Sequence, residues 1–326
     1  MKKSSVILLC AAAVCIVIGL CFCSAAVSVA GGNIANFCTE KKYVKKTAEY
    51  SKEDITSLDF TDISNDVRII PSSDSMLRIT YYETDKIYYS SNAAGGTLTV
   101  KYHSNAKWYD NIGIFINSQD TTVVIEVPEG FDNIGVQTTS GDIHFDSVSG
   151  LSLLKIKSTS GDVTLTSASI PSLDIRTTSG DIEAESLETE DAYIASTSGD
   201  VEVQSLSSPT AEIKTVSGEI EIERADVSEK FTASSTSGEI KISSSSNAGT
   251  VKCEALSGNI WLDISSCRNA NLKTTSGNIK MTIDHTEDYR VTTSTVSGDV
   301  RVPASAHGEK EIYAKTTSGN INISEK

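Results

Sequence analysis

The chain has 326 residues, a formal charge of −15, five prolines and 6% aromatic residues. Six lysines against Glu40 and Glu49 give residues 1–50 a balance of +4, which places −19 on the remainder. So acidic a body repels nucleic acid and most anionic polymers, and abundant Ser and Thr suit short polar-faced strands better than helices.

After Lys2 and Lys3, an uncharged stretch runs from Ser4 to Phe37 and is densest between Val6 and Val29. About 20 apolar residues cross a bilayer, whereas the core of a cleavable signal peptide is about 7–15. Residues 1–37 are therefore read as an uncleaved N-terminal transmembrane helix. Cleavage after Ser28-Val29-Ala30, with secretion, is the alternative. Lys2 and Lys3 point to a cytoplasmic N-terminus and an extracytoplasmic body, against the competing cluster of Lys41, Lys42, Lys45 and Lys46. That cluster reads equally as a solvated linker or as a contact with an anionic membrane face. Residues 38–54 are charged, lack a period and read as a stalk.

Residues 55–135 read as wider coils with an aromatic cap. Ser64-Asn65-Asp66-Val67 is the first trace of a repeat, with Asn standing where Gly stands later, as expected of a residue that tolerates a left-handed backbone. Tyr81, Tyr82, Tyr88, Tyr89, Tyr102, Trp108, Tyr109 and Phe115 concentrate here. They are read as plugging the end of a stack, since terminal repeats need a cap, with a platform that stacks on sugar rings as the alternative. The long loop 103–118, carrying His103, Trp108, Tyr109 and Asp110, is the candidate binding loop for a sugar or another envelope partner.

From residue 136 to 326 the repeat is regular. Ser-Gly followed by Asp, Glu or Asn places glycines at Gly141, Gly161, Gly180, Gly199, Gly218, Gly238, Gly258, Gly277, Gly298 and Gly319, 19–21 residues apart. Three residues after each serine stands a β-branched residue, from Ile143 and Val163 to Val300 and Ile321, and two further on a second apolar one. Apolar residues also recur six and four positions upstream of most serines, such as Leu154 and Ile156, with polar residues between. This is period-two alternation on both sides of a corner, where Gly is expected to supply a positive φ. Thr or Ser two residues before the serine can hydrogen-bond along the stacking axis. The pattern predicts an all-β, single-stranded, parallel β-helix-like solenoid of about ten 19–21-residue coils, roughly 50 Å long at about 4.8 Å per coil. The last coil, ending at Ile323-Ser324-Glu325-Lys326, is expected to close the stack with charged residues alone blocking its edge, with an assembly surface as the alternative.

Chemistry is sparse. Asp142, Asp162, Asp181, Asp200, Glu219 and Glu239 follow the corner glycines, a pattern explained by turn preference before any cation. Lys157, Arg176, Lys214, Lys273 and Lys315 stand three residues before their serines and are placed to offset that charge. His103, His144, His285 and His307 have no spacing that builds a metal site or a triad. Of seven cysteines, only Cys253 and Cys267 lie in the repeats, read as two small buried thiols, with a bridge as the alternative. No catalytic, cofactor or metal residues are assigned.

The reiterated Thr-Thr-Ser-Gly-Asp-Ile, Val123 to Pro128 and the early Ser64-Asn65-Asp66-Val67 resemble the bacterial "putative adhesin" family, which includes LiaG-like proteins. The resemblance spans about residues 55–324. It implies an envelope-associated β-solenoid without established catalytic residues, and LiaG-like members imply a link to envelope-stress operons. The functional expectation is a membrane-anchored, extracytoplasmic, non-enzymatic solenoid that presents a surface for adhesion or envelope interaction. A regulatory scaffold binding a membrane protein is the alternative, and a carbohydrate-active enzyme using loop 103–118 comes third.

Overall fold

The computed structural model describes residues 15–19, 24, 42–106, 119–245, 248–303 and 308–326. Two compact units result. One gathers residues 1–44, 83–87 and 104–120, and the other residues 45–82, 88–103 and 121–326. In the first, residues 84–87 form a turn closed by Thr84 N–H donating to Ile87 O at 2.9 Å. Most of the segment read as a transmembrane helix lies outside the described residues. Among the described residues, no helix is long and apolar enough to cross a membrane.

The second unit is an all-β solenoid. Its strands pair in parallel with residues of equal repeat position opposite one another: Leu154 faces Leu173, Ile156 faces Ile175, and Val163 faces Ile182. The alternation read from sequence dictates this. Each inward residue meets its own kind on the next rung, and Ile156, Val163, Leu165, Ile175 and Ile182 are all fully buried. A one-residue slip would turn every one of them to water.

The corner glycines form one column, but chiefly for a reason other than φ. A Cβ on Gly199 would lie 2.0 Å from the carbonyl oxygen of Gly180, and each corner glycine from Gly141 onward meets its predecessor in the stack within about that distance. Of the ten, only Gly298 (+149°) and Gly319 (+152°) adopt positive φ. Close backbone approach excludes a side chain at the others. Asn65 heads the column, with its carbonyl under Gly141. It is not among the positive-φ residues, and its side chain is held by Asp62, Tyr89 and Thr121.

Inside each corner runs the Thr/Ser column. Thr215 Oγ1 donates to Gly199 O at 3.2 Å and accepts the Gly218 N–H at 2.9 Å. One hydroxyl thus ties two rungs and satisfies a buried donor and acceptor.

Rung order departs from chain order at both ends. Val67–Pro71 lies between Val123–Val127 and Ile143–Asp146, so the chain lays down a rung, builds outward from it, then passes back. Likewise Lys310–Lys315 lies between Cys267–Lys273 and Tyr289–Ser294, and Ile321–Glu325 between Ile279–Ile283 and Val300–Arg301. The expected final coil is therefore an inner rung, and residues 289–301 form the outermost one. Apart from Tyr289 its inward positions are barer, with Val300 42% exposed against 0% for Ile321 beneath it. Tyr289 fixes this arrangement. It is buried, and its hydroxyl both accepts from Cys267 N–H and donates to Cys267 O, at 3.0 Å each.

The opposite end is covered. Met76–Glu83 pairs antiparallel with Val123–Val127. The stretch read as a stalk supplies the next strand, Val44–Ser51, paired with Met76–Glu83. It lacks hydrophobic alternation because it is an edge, where Lys45 and Lys46 discourage further pairing.

Candidate functional site

Of the loop residues singled out from sequence, His103 is described, while Trp108, Tyr109 and Asp110 lie outside the described residues. His103 Nε2 is 2.7 Å from Ser90 Oγ, and its ring stacks on Tyr88 at 5.0 Å. The nearby aromatics are structural. Tyr89 is buried against Phe60, Tyr81 and Tyr102. Its hydroxyl donates to the buried Asp62 carboxylate and accepts from Asn65 Nδ2 at 3.0 Å. Burial, reinforced by Asp62, raises the Tyr89 pKa. Asp62 Oδ1 also accepts the N–H groups of Ile63, Ser64 and Asn65 at 2.6–3.0 Å. This network holds the first corner.

The acidic column has a task of its own. Asp142 Oδ1 accepts the Asp162 N–H at 2.9 Å, Asp162 the Asp181 N–H, Asp181 the Asp200 N–H and Asp200 the Glu219 N–H, at 2.7–2.8 Å. Asparagines continue it in spatial order, Asn259 to Asn278 to Asn320 to Asp299. These oxygens bond between rungs and do more than face water. At the junction stand two glutamates. Burial, then the neighbouring Glu239, raises the Glu219 carboxyl. Of the basic residues three before their serines, Arg176 pairs with Asp174 at 2.7 Å, Lys214 with Glu212 at 2.5 Å and Lys273 with Glu254 at 3.7 Å on their own sheet face rather than at the corner, the first two flanking the Tyr193 ring.

The sheet after the corner divides along the axis. After Arg68, His144 and Thr164, its outward column carries Glu183, Glu202 and Glu221, which stand opposite one another, with Glu185 and Glu223 alongside. From the next rung the same column reads Lys241, Trp261, Lys280, Asn322 and Arg301 in spatial order. Trp261 is 40% exposed, with Lys280 Nζ 4.9 Å from its ring centroid. Lys241 pairs with Glu221, which raises its pKa. A recess of about 240 Å³ beside Arg301 is lined by Asp299, Asn320, Ile321 and Asn322. This column did not stand out as a site in sequence, although the signal lay four residues after each serine.

Among the described residues no group of three or more His, Cys, Asp or Glu could hold a metal. Cys253 and Cys267 are free and buried, and burial pushes their thiols up to about 12 and about 11.

Architecture and corner define the class: a parallel β-solenoid built on stacked Ser-Gly turns. The chain belongs to the Toastrack DUF4097 family, whose model matches residues 55–266 and 242–324. Among solved structures it is similar to a "putative lipid binding protein" from Parabacteroides distasonis at 16% identity and TM-score 0.42, covering 88% of this chain and 99% of that one. It is similar to a "putative adhesin" from Bacteroides fragilis at 15% identity and TM-score 0.33, covering 88% and 100%. A "putative cell adhesion protein" from Clostridium sporogenes matches at 9% identity and TM-score 0.30, covering 87% and 100%. No curated protein matches the sequence.

Proposed function

We propose that the chain is a membrane-anchored, extracytoplasmic and non-enzymatic solenoid that presents its outer sheet faces for adhesion to the cell envelope. One observation carries this reading: the described interior is filled by stacked apolar residues, and the ordered polar rows lie on the outside. A surface of repeated, outward, in-register side chains suits extended partners better than one small substrate. The uncharged segment within residues 4–37 serves as the anchor, with Lys2 and Lys3 holding its start in the cytoplasm.

Two measurements test this. Protease added to intact cells should cleave the body, and full protection would overturn the extracytoplasmic placement. In a pull-down from envelope fractions, chains with and without residues 1–43 should retain the same partners. Loss of every partner on removing those residues would favour the scaffold reading, in which the N-terminal segment meets a membrane protein.

A further inference from the structure

The charge that argues against anionic partners is not spread through the solenoid. Residues 121–244 carry 22 carboxylates against 7 basic residues, whereas residues 245–326 carry 9 of each. Two adjacent columns change within one rung of each other near this boundary, the sheet column first. The corner turns from Asp and Glu to Asn259, Asn278 and Asn320, and the sheet column turns from Glu183, Glu202 and Glu221 to Lys241, Trp261, Lys280 and Arg301. Among the described residues Lys280 and Arg301 have no ion pair. Asp263, the carboxylate beside Trp261, is held by Lys326 at 2.8 Å.

We infer that this part of the sheet face binds a linear acidic polysaccharide laid along the stacking axis. The inference rests on the surface-presenting function proposed above and names its partner. Lys280 and Arg301 stand two rungs apart, roughly 9.6 Å at about 4.8 Å per rung, and Lys241, two rungs before Lys280, is already paired with Glu221 and ends the row. That interval is commensurate with a glycan that carries one carboxylate on every second sugar. Nucleic acid carries a charge about every 1.7 Å, far denser than this row, and meets strong repulsion from the adjoining acidic rungs. The indole of Trp261 offers an apolar plane to the C–H face of a sugar ring, with its aromatic quadrupole already beside a cation. Asn320, whose Oδ1 accepts the Asp299 N–H, lines the recess beside Arg301 together with Asn322, and the two amides can offer N–H donors to hydroxyl or carboxylate oxygens.

The test is binding of the full chain to hyaluronate, which alternates charged and neutral sugars, with dextran and sodium polyphosphate as the neutral and the sugar-free probes. Hyaluronate should bind, and Trp261→Ala and Lys280→Glu should each weaken it about tenfold, as expected for losing a stacked ring or a partly desolvated cation. Lys214→Glu, on the other sheet face, should leave it unchanged. Both tested side chains point outward, so melting temperatures should match wild type. No hyaluronate binding, equal binding by the Trp261 and Lys280 variants, or polyphosphate binding as tight as hyaluronate would each overturn the inference. Envelope fractions separate the two levels. If they retain wild type and both variants equally, the polysaccharide site fails while the surface function stands. If they retain none, the surface function itself fails.

Discussion

The middle and the ends of the solenoid obey different rules. Through residues 153–283 each rung rests on the one before it in sequence, and a small repeated set of contacts recurs: a glycine against a carbonyl, an inward hydroxyl, and on most rungs an Asp or Asn oxygen on the next N–H. At the ends the chain skips a rung and returns, and residues outside the repeat take over. Asp62 with Tyr89 holds one end, and Tyr289 with Cys267 the other. Repetition builds the stack. Single, irreplaceable side chains finish it.

The largest way to break this contrast is Gly199→Val. The added carbons have no space against Gly180 O, so the substitution should cost about 4 kcal/mol or more and sharply lower the melting temperature. An unchanged melting temperature would refute the ladder. Tyr289→Phe should cost about 1–3 kcal/mol by leaving two buried backbone groups of Cys267 without a partner. Hydrogen exchange should accelerate at residues 289–294 and remain slow at 163–203. A uniform change would make the end rung an ordinary one. Smaller again, Asp181→Ala should cost about 1 kcal/mol by freeing the Asp200 N–H. Asp181→Asn, which keeps the oxygen, should be neutral or slightly stabilising because a like charge is removed. Equal losses for both would show that charge matters more than the bond.

The smallest effects concern pH. Glu219 has a raised carboxyl pKa when folded, so its contribution favours folding below its unfolded pKa and is lost as pH rises through the folded value. Arg68 holds Asp146 below its usual range, so that contribution is present above the unfolded pKa and is lost as pH falls through the folded value. At pH 7, Glu219→Gln should therefore stabilise and Asp146→Asn destabilise, each by about 0.5 kcal/mol. Denaturant midpoints should show both differences shrinking toward pH 3. Shifts of the same sign would contradict the assignment.

Much of this was legible in the sequence. Alternation about each corner placed the buried columns, because Ile156, Ile175 and Val163 alternate without exception with polar neighbours. The need for glycine was visible, though its principal cause was not, since the carbonyl it must clear belongs to another rung. Rung order was hidden because parallel neighbours of equal repeat position are interchangeable by pattern. The only sign was the step of 21 residues from Ser276 to Ser297 and again to Ser318, the extra length that a skip requires. The strand Val44–Ser51 was read as a stalk because an edge strand carries little hydrophobic signal. The cationic run through Trp261 escaped notice because total charge averages over opposite halves.

The skipped rung also sets an order of events during synthesis. Residues 289–301 emerge before 310–325, yet their native neighbours are Lys310–Lys315 and Ile321–Glu325. Until those arrive, the free edge of Cys267–Lys273 can accept Tyr289–Ser294 directly, in a stack one rung too short. Wherever that pairing forms, correct assembly requires it to open and admit the later rung. In the short stack Tyr289 would sit beside Cys267, with no rung for its hydroxyl to reach across. The tyrosine thus works as a ruler that accepts only the full-length spacing, and refolding should end in a slow insertion step that no other rung shares.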